Sequence, residues 1–221
     1  PSHIHALTGI TDANGARFAT WAYSDDGKAI LSEHAVTSNG IGQEQVTLDY
    51  TSDTETTVTN AVGDTELITF NENLGIRNLT SRVFNADGKG ISQTFDANNN
   101  KTSLTDAEGN TTAYTYNSFN QRTSMTEAVG TAEARTTTYT YLSDDLDLPT
   151  TVTRDGVSGA QTHVTSTQYD GLLNPIIITQ NGFDASGSPV SRQTQFSYDS
   201  DGRLTSIDGP RTDMSDVTAF T

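Results

Sequence analysis

Apolar and polar residues alternate over short segments along most of this chain. Large apolar residues recur in pairs two positions apart, and the residue between the two members is usually small or polar. Because side chains alternate between the two faces of a β-strand, both members of such a pair lie on one face. The pattern therefore predicts short strands with one apolar and one polar face. The pairs are Trp21 and Tyr23, Leu48 and Tyr50, Ile68 and Phe70, Tyr114 and Tyr116, Tyr139 and Tyr141, and Phe196 and Tyr198.

A second pattern alternates with these pairs. It consists of an apolar residue, Thr, an acidic or amide residue, Ala, any residue and Gly, as in Ile10–Gly15. Asp or Asn can accept hydrogen bonds from the backbone of the turn that it begins, and Gly adopts a positive φ without strain. The pattern therefore predicts a strand that enters a tight hairpin turn. Further copies lie at 58–63, 104–109 and 125–130, and looser copies at 152–156, 178–182 and 207–209.

The apolar pairs themselves lead into a further set of turns, as in Tyr198–Arg203. Each repeating unit is thus a strand, a turn, a strand and a turn, which recurs about every 20 to 30 residues. Short connections favour antiparallel pairing of neighbouring strands. We therefore expect an all-β fold, a long antiparallel meander of short hairpins, with residues 1–221 as a single repeat region. A sheet with so many strands is expected to curl.

Some segments depart from the pattern. Residues 128–135 have mild helical propensity and are interpreted as a lengthened hairpin loop. The segments 37–42, 155–160 and 181–189 are rich in Gly and Ser and are interpreted as hairpin tips. After Tyr141 and Leu142 the acidic stretch 144–147 is interpreted as a longer insert in the repeat.

Composition narrows the function classes. The net charge is −16, from 28 acidic and 12 basic residues. A nucleic-acid or anionic-membrane partner requires a basic surface, so neither is expected. The sequence contains no Cys, which excludes disulfides, thiolate metal sites and a Cys nucleophile. Roughly one residue in six is Thr, which suits strands that have one polar face.

The segment Tyr198–Thr205 resembles the YD-repeat signature, Tyr-Asp-x-x-Gly-Arg-Leu-Thr, and Asp106–Tyr116 resembles the other half of that repeat. The chain is therefore similar to the Rhs family of bacterial YD-repeat proteins, and the resemblance covers nearly its whole length. Some copies depart from the signature. Asn120-Gln121 replaces Gly-Arg after Tyr116, and Tyr169-Asp170 is followed by Leu173-Asn174-Pro175.

This resemblance implies a β-sheet shell that surrounds a C-terminal toxin domain, as in Rhs proteins. Related shells occur in the C components of insecticidal toxin complexes and in teneurins. The expected partners are the remainder of the shell, the enclosed toxin and secretion spike proteins. The expected location is cytoplasmic before export, followed by secretion, for example by type VI secretion. The family's self-cleavage region and its toxin are not expected within these residues, so the resemblance does not imply an enzyme.

Catalytic and metal sites are not expected from the residues either. The acidic pairs lie together in turns, whereas glycosidase carboxylates must face each other across a cleft. These pairs are Asp25 with Asp26, Asp144 with Asp145, and Asp199 with Asp201. Residues 96–100 begin like a calcium loop, but Lys101 and Ala107 occupy the places that require Gly and Glu. His3 and His5 alternate without a third ligand, so no metal and no cofactor is expected.

The expected sites are therefore structural repeat positions. In one hypothesis their aromatic residues pack along a shared sheet face of a shell. In another they are exposed and contact carbohydrate or a protein partner, as in an adhesion module. A hydrolase is the third and least favoured hypothesis. The structural repeat positions are Trp21, Tyr23, Gly27, Tyr50, Phe70, Gly109, Tyr114, Tyr116, Tyr139, Tyr141, Tyr169, Asp170, Tyr198, Asp199, Gly202 and Arg203.

Overall fold

The computed structural model describes residues 5–34, 44–157, 161–211 and 215–220. These residues form 18 β-strands and no α-helix. The chain divides into two compact units, Pro1–Gly109 and Asn110–Thr221. Each unit holds nine of the described strands.

The strands of the first unit are three to nine residues long. They are β1 (Gly9–Thr11), β2 (Arg17–Tyr23), β3 (Ala29–His34), β4 (Val46–Ser52), β5 (Glu55–Asn60), β6 (Thr65–Asn73), β7 (Ile76–Phe84), β8 (Gly90–Phe95) and β9 (Lys101–Thr105).

The strands of the second unit are three to ten residues long. They are β10 (Thr111–Tyr116), β11 (Arg122–Glu127), β12 (Arg135–Ser143), β13 (Leu146–Arg154), β14 (His163–Tyr169), β15 (Pro175–Phe183), β16 (Pro189–Tyr198), β17 (Leu204–Asp208) and β18 (Val217–Ala219).

Both units are antiparallel meanders. Within each unit every described strand pairs antiparallel with the strand that follows it in sequence. The same holds from β10 to β18. The prediction of an all-β meander of short hairpins is therefore confirmed.

Each unit is a single layer of strands. Every contact between described strands of one unit joins neighbours in sequence, so no second layer covers either face. Of the described residues, Ala19 is the one apolar residue that is fully buried. Because folded domains normally bury an apolar face against another layer, both units lack the usual core.

The two faces of the sheet differ in chemistry. On β16, Phe196 and Tyr198 are half-buried. Gln195, which precedes Phe196, and Ser197, which lies between the two, are exposed. Register places Phe196 opposite Ile207 and Ser197 opposite Ser206, so the two chemistries continue onto the next strand. We call the face with the apolar pairs the aromatic face. The opposite face, rich in Thr and Ser, is the hydroxyl face.

The structure narrows one hairpin tip and shows the form of the insert. The segment 181–189 was expected to be a hairpin tip, but β15 continues to Phe183 and β16 begins at Pro189, so the turn itself is 184–188. The expected insert at 144–147 extends a hairpin. It lengthens β12 and β13 to nine residues each and leaves only residues 144 and 145 between them.

The other loop assignments have mixed outcomes. Residues 128–134 form bends and turns without a helix, so the lengthened loop is confirmed. The segment 37–42 lies outside the described residues, and so do 158–160 of the segment 155–160. Residues 155 and 156 connect β13 towards β14.

Candidate functional site

The turns of each unit lie alternately along two edges, because every turn reverses the chain in an antiparallel meander. Turns that follow even-numbered strands share one edge, and most of the paired aromatic residues end just before them. We call this the tyrosine edge of each unit. The turns that follow odd-numbered strands form the opposite edge.

The turn Asp199–Arg203 shows how the hairpins close. The Asp199 carboxylate accepts hydrogen bonds from the backbone N–H groups of Asp201 and Arg203, both at 2.9 Å. The Asp199 N–H donates to the Arg203 carbonyl at 2.9 Å, and the Gly202 N–H donates to the Asp199 carbonyl at 3.1 Å. One short side chain therefore accepts from two backbone N–H groups of the turn, and backbone carbonyls accept from two more.

The same backbone arrangement closes hairpins on both edges and in both units. The first residue is Asp or Asn in all but one case, and its side-chain oxygen accepts from the N–H groups two and four residues on, at 2.8–3.1 Å. In the remaining case the Ser24 hydroxyl accepts from the Lys28 N–H at 3.1 Å. These turns are 12–16, 24–28, 60–64, 96–100, 117–121, 170–174, 184–188 and 199–203.

The fourth residue of each of these turns has a positive φ. It is Gly or Asn in every copy except one, where Leu173 has a φ of 67°. A side chain with a Cβ is strained in this region, by roughly 1–2 kcal/mol. Leu173 is therefore an unfavourable choice for the turn itself.

Several turn carboxylates are stabilised in their charged form. A hydrogen bond from the Asn100 side chain lowers the pKa of Asp96 below its ordinary value. The Asn174 backbone N–H lowers the pKa of Asp170 in the same way. The Ser186 hydroxyl is the largest cause of the lowered pKa of Asp184. These acids serve the turns as hydrogen-bond acceptors, as was expected for turn residues.

Tyrosines next to the turns tie each hairpin to the preceding strand. The hydroxyl of each donates to a backbone carbonyl near the start of that strand. Continuing the strand register shows which residue on the tyrosine's strand faces the acceptor residue. In each pair the tyrosine is the next residue in sequence after it. The pairs are Tyr23 to Leu7 (3.1 Å), Tyr50 to Ala29 (2.9 Å), Tyr141 to Arg122 (2.7 Å), Tyr169 to Pro149 (2.9 Å) and Tyr198 to Pro175 (3.0 Å).

Two of these phenols are also harder to ionise than usual. Burial is the main cause of the raised pKa of Tyr141, and the nearby Asp147 carboxylate adds to it. Burial raises the pKa of Tyr198 too, with a smaller contribution from Asp170. Both groups therefore remain protonated donors well into the alkaline range.

A β-bulge lies immediately before the aromatic residue in several of the tyrosine-edge hairpins. In β10 and β11 the register shifts between Thr115 and Tyr116, which leaves Thr123 as the extra residue. On the hydroxyl face Thr115 bonds to Thr123 at 2.8 Å and to Ser124 at 2.6 Å. The bulge thus brings three hydroxyl groups together. The same triad forms from Thr69, Thr80 and Ser81, and from Thr94, Thr102 and Ser103.

Amide side chains join neighbouring turns of the tyrosine edge. The Gln121 side chain is buried and its Nε2 donates to the carbonyls of Ser143, at 2.9 Å, and Leu146, at 2.7 Å. In the first unit the Asn73 and Asn78 amides both donate to Asn99 Oδ1, at 3.2 and 2.7 Å. Sequence reasoning missed these bridges and the hydroxyl triads. The repeated Thr-aromatic and Thr-Ser dipeptides, eight to eleven residues apart, were the available signal for the triads.

The structure places the remaining repeat positions on the strands and turns of the two units. Trp21 is half-buried on β2, edge-on to the His34 ring at 6.3 Å. The Arg122 guanidinium lies 4.7 Å from the centre of the Tyr139 ring and 6.0 Å from that of Tyr114. The other positions are Tyr116 at the end of β10, Phe70 on β6 under Arg77, Gly27 and Gly109 at positive φ, and Arg203, which pairs with Asp201 at 2.9 Å.

The candidate catalytic and metal-ligating residues remain dispersed among the turns. Asp26 pairs with Lys28 at 3.2 Å, and Asp145 accepts from the Ser143 hydroxyl at 2.6 Å. His34 lies 3.3 Å from Glu44, and His3 falls outside the described residues. The part of the chain that the structure describes contains no group of three or more His, Asp or Glu residues able to hold a metal ion. It also contains no helix of the length and hydropathy that a membrane span requires.

Comparison with known proteins agrees with this geometry. Residues 95–132 match the family model of the RHS Repeat, so the chain contains an RHS repeat and the resemblance expected from the sequence is confirmed. These residues include two of the tyrosine-edge turns, one complete hydroxyl triad and two members, Thr102 and Ser103, of a second. No curated protein matches the chain.

Solved structures of toxin complexes match the chain at low sequence identity. The TcdB2–TccC3 complex without its hypervariable C-terminal region matches with a TM-score of 0.52, 13% identity and coverage of 96% of this chain and 15% of that chain. The complex that also contains Cdc42 matches with a TM-score of 0.41, 12% identity and coverage of 96% and 14%. The Photorhabdus luminescens Tc holotoxin pore gives a TM-score of 0.33, 13% identity and coverage of 96% and 15%.

The likeness in fold rests on the first of these structures. The chain spans 15% of the length of that structure's matching chain. Together the RHS-repeat match and the fold support a structural role, that of an RHS-type sheet.

Proposed function

We propose that this chain is a wall segment of an Rhs-type β-shell. The observation that supports it best is the single-layer sheet with two chemically different faces. A layer without a core of its own suits a wall whose two faces meet different environments. The tyrosine ties and turn bridges act along the wall, from one hairpin to the next.

The finer proposal is that the wall encloses a C-terminal toxin domain. In it, residues 1–221 are a single YD-repeat region and a fragment of a longer shell. The rest of that shell, the toxin and secretion spike proteins are the partners, and the parent protein is exported from a bacterium, for example by type VI secretion. The RHS-repeat match and the fold shared with the TcdB2–TccC3 complex support this proposal.

In this proposal the chain does no catalysis and needs no cofactor. The acids of the turns accept hydrogen bonds from backbone N–H groups, and the tyrosine hydroxyls donate to backbone carbonyls. These contacts give the residues structural roles. The half-burial of the paired aromatic residues favours a wall over an adhesion surface, because adhesion by aromatic stacking requires exposed rings.

Electron microscopy of the full-length parent protein tests the proposal, together with mass spectrometry of its processed fragments. We expect a hollow shell that retains a separate C-terminal fragment. An open sheet with exposed aromatic rows and no enclosed fragment would contradict the enclosure and would favour adhesion. A closed shell without a retained fragment would support the role as a wall segment and contradict the enclosure of a toxin.

A further inference from the structure

Three neighbouring turns on the tyrosine edge of the second unit have exposed apolar side chains. Phe119 is 55% exposed in the turn between β10 and β11, and Leu142 is 42% exposed at the end of β12. Leu172 is 64% exposed and Leu173 is 41% exposed in the turn between β14 and β15. Adjacent hairpins are separated by two strand spacings, about 10 Å, so the turns that bear these side chains follow one another along the edge in a row.

The row is unusual for these turns. Phe119 and Leu172 occupy the same third position of the turn, where most other copies have a polar residue: Asn14, Asp26, Asn98, Ser186 and Asp201. Leu173 occupies the left-handed position that is Gly or Asn in the other turns. Leucine at this position costs backbone strain, and its side chain gains little burial in return. The stability of the turns therefore does not explain why these positions have apolar residues.

Acidic groups lie between the apolar tips. Phe119, Asn120 and Gln121 line a notch together with Asp144, Asp145 and Asp147 of the neighbouring hairpin. A hydrogen bond from the Ser143 hydroxyl lowers the pKa of Asp145 below its ordinary value, which already lies far below neutral pH. Among the described residues, Asp144 and Asp147 have no ion-pair partner.

The arginines of this edge are already engaged. Arg122 lies against the Tyr139 ring and donates to its hydroxyl at 3.1 Å. Arg203 pairs with Asp201 and lies 3.8 Å from Asp199. The row is thus apolar at its tips and negative between them, so a complementary surface is apolar and positive.

We propose that this row, Phe119, Leu142, Leu172 and Leu173, is a docking edge for a basic amphipathic protein segment. The apolar side chains of the partner pack on the row, and its Lys or Arg side chains enter the acidic notch. A cation in the notch meets both the carboxylates and the face of an aromatic ring. The inference concerns an interaction surface and does not depend on the enclosure of a toxin.

Peptide binding to the full chain tests the docking edge. The probe is a synthetic peptide of alternating Leu and Lys, and its counterpart of alternating Leu and Glu is the charge control. We expect the triple variant Phe119→Ser, Leu142→Ser, Leu172→Ser to bind the Lys peptide at least about tenfold more weakly, which is the factor for losing roughly one buried apolar side chain. Val62→Ser is the matched control, because Val62 is 82% exposed at the same turn position in the first unit.

Two further variants separate docking from folding. Leu173→Gly removes part of the row and relieves strain, so it should weaken peptide binding without lowering the stability of the chain. Asp144→Asn with Asp147→Asn should weaken binding of the Lys peptide more than Asp49→Asn with Asp53→Asn, which changes the charge equally. A loss below tenfold in the triple variant, an equal loss in Val62→Ser, or no preference for the Lys peptide over the Glu peptide would overturn the proposal.

Discussion

The Tyr141 hydroxyl donates a 2.7 Å hydrogen bond to the backbone carbonyl of Arg122, which begins the preceding strand. The Arg122 side chain lies against Tyr139, the partner of Tyr141 in its apolar pair. Strand β12 thus contacts the first residue of β11 at both its backbone and its side chain. Because the acceptor lies on β11 and the tyrosine on β12, this contact joins the hairpin β10–β11 to the hairpin β12–β13.

Replacing Tyr141 with Phe tests this tie. The ring remains and the hydrogen bond is lost, so we expect the free energy of unfolding to fall by about 1 kcal/mol. Urea unfolding followed by circular dichroism measures the change. Tyr114→Phe is the control, because the contact found for the Tyr114 ring is with the Arg122 guanidinium and survives the change. An equal loss in both variants would show that the tie adds nothing.

Alkaline titration probes the same phenol. The folded pKa of Tyr141 lies above its ordinary value of 10.0. The stability that this shift represents is fully present below that ordinary pKa and is lost as the pH rises through the folded pKa. Because Asp147 contributes to the shift, Asp147→Asn should lower the pKa of Tyr141, whereas Asp144→Asn should leave it in place. Tyrosinate absorbance is titrated for the parent chain and for each Asp variant. Subtracting the titration of the same chain with Tyr141→Phe isolates the pKa of Tyr141.

The turn acids predict sensitivity to low pH. The folded pKa of Asp170 lies below its ordinary value of 3.8, chiefly because of the Asn174 N–H. Its contribution to stability is present above pH 3.8 and is lost as the pH falls through the folded pKa. Asp170→Asn keeps a side-chain acceptor, as Asn117 does in the equivalent turn.

We therefore expect Asp170→Asn to have a smaller acid-induced loss of stability than the parent chain. Asp170→Ala should lower the urea midpoint at neutral pH, because the Leu172 and Asn174 N–H groups lose their acceptor. Unfolding curves at several pH values distinguish the two variants. If Asn and Ala behaved alike at neutral pH, the side-chain acceptor would not stabilise the turn.

The Gln121 bridge predicts a strong effect from a small change. In Gln121→Glu a carboxylate replaces the amide that donates to Ser143 and Leu146, and it lies close to the acids of the notch. We expect the free energy of unfolding to fall by about 1–3 kcal/mol at neutral pH, since two carbonyls lose their donor. Part of the loss should recover at acidic pH, where the carboxyl is protonated. Gln168→Glu, on the exposed face of β14, should have little effect in the same unfolding assay.

The sequence was sufficient for the strands and most turns because their signals are local. Spacing by two gives the face of Phe196 and Tyr198, and the Asp-to-Gly interval gives the turn from Asp199 to Gly202. The sequence indicated a longer insert after Tyr141 but not its structure, because such residues can extend a hairpin as readily as a loop. Only the pairing of Ser143 with Leu146 decides between the two.

The ties between hairpins could not be predicted from the residues. The acceptor for Tyr169 is the carbonyl of Pro149, and a backbone carbonyl leaves no mark in the sequence. Its identity depends on register across two strands. The apolar row was also missed, because Phe119 and Leu172 are far apart in sequence and meet one edge only when the hairpins are stacked.

Each tyrosine tie reaches an acceptor that precedes it in the chain, by 16 to 23 residues. During synthesis the acceptor strand has therefore left the ribosome before its tyrosine does. Each hairpin with such a tie can bind to the strands already made as it emerges, without waiting for residues still to be made. These parts of each meander can therefore form in the order of translation, one hairpin at a time.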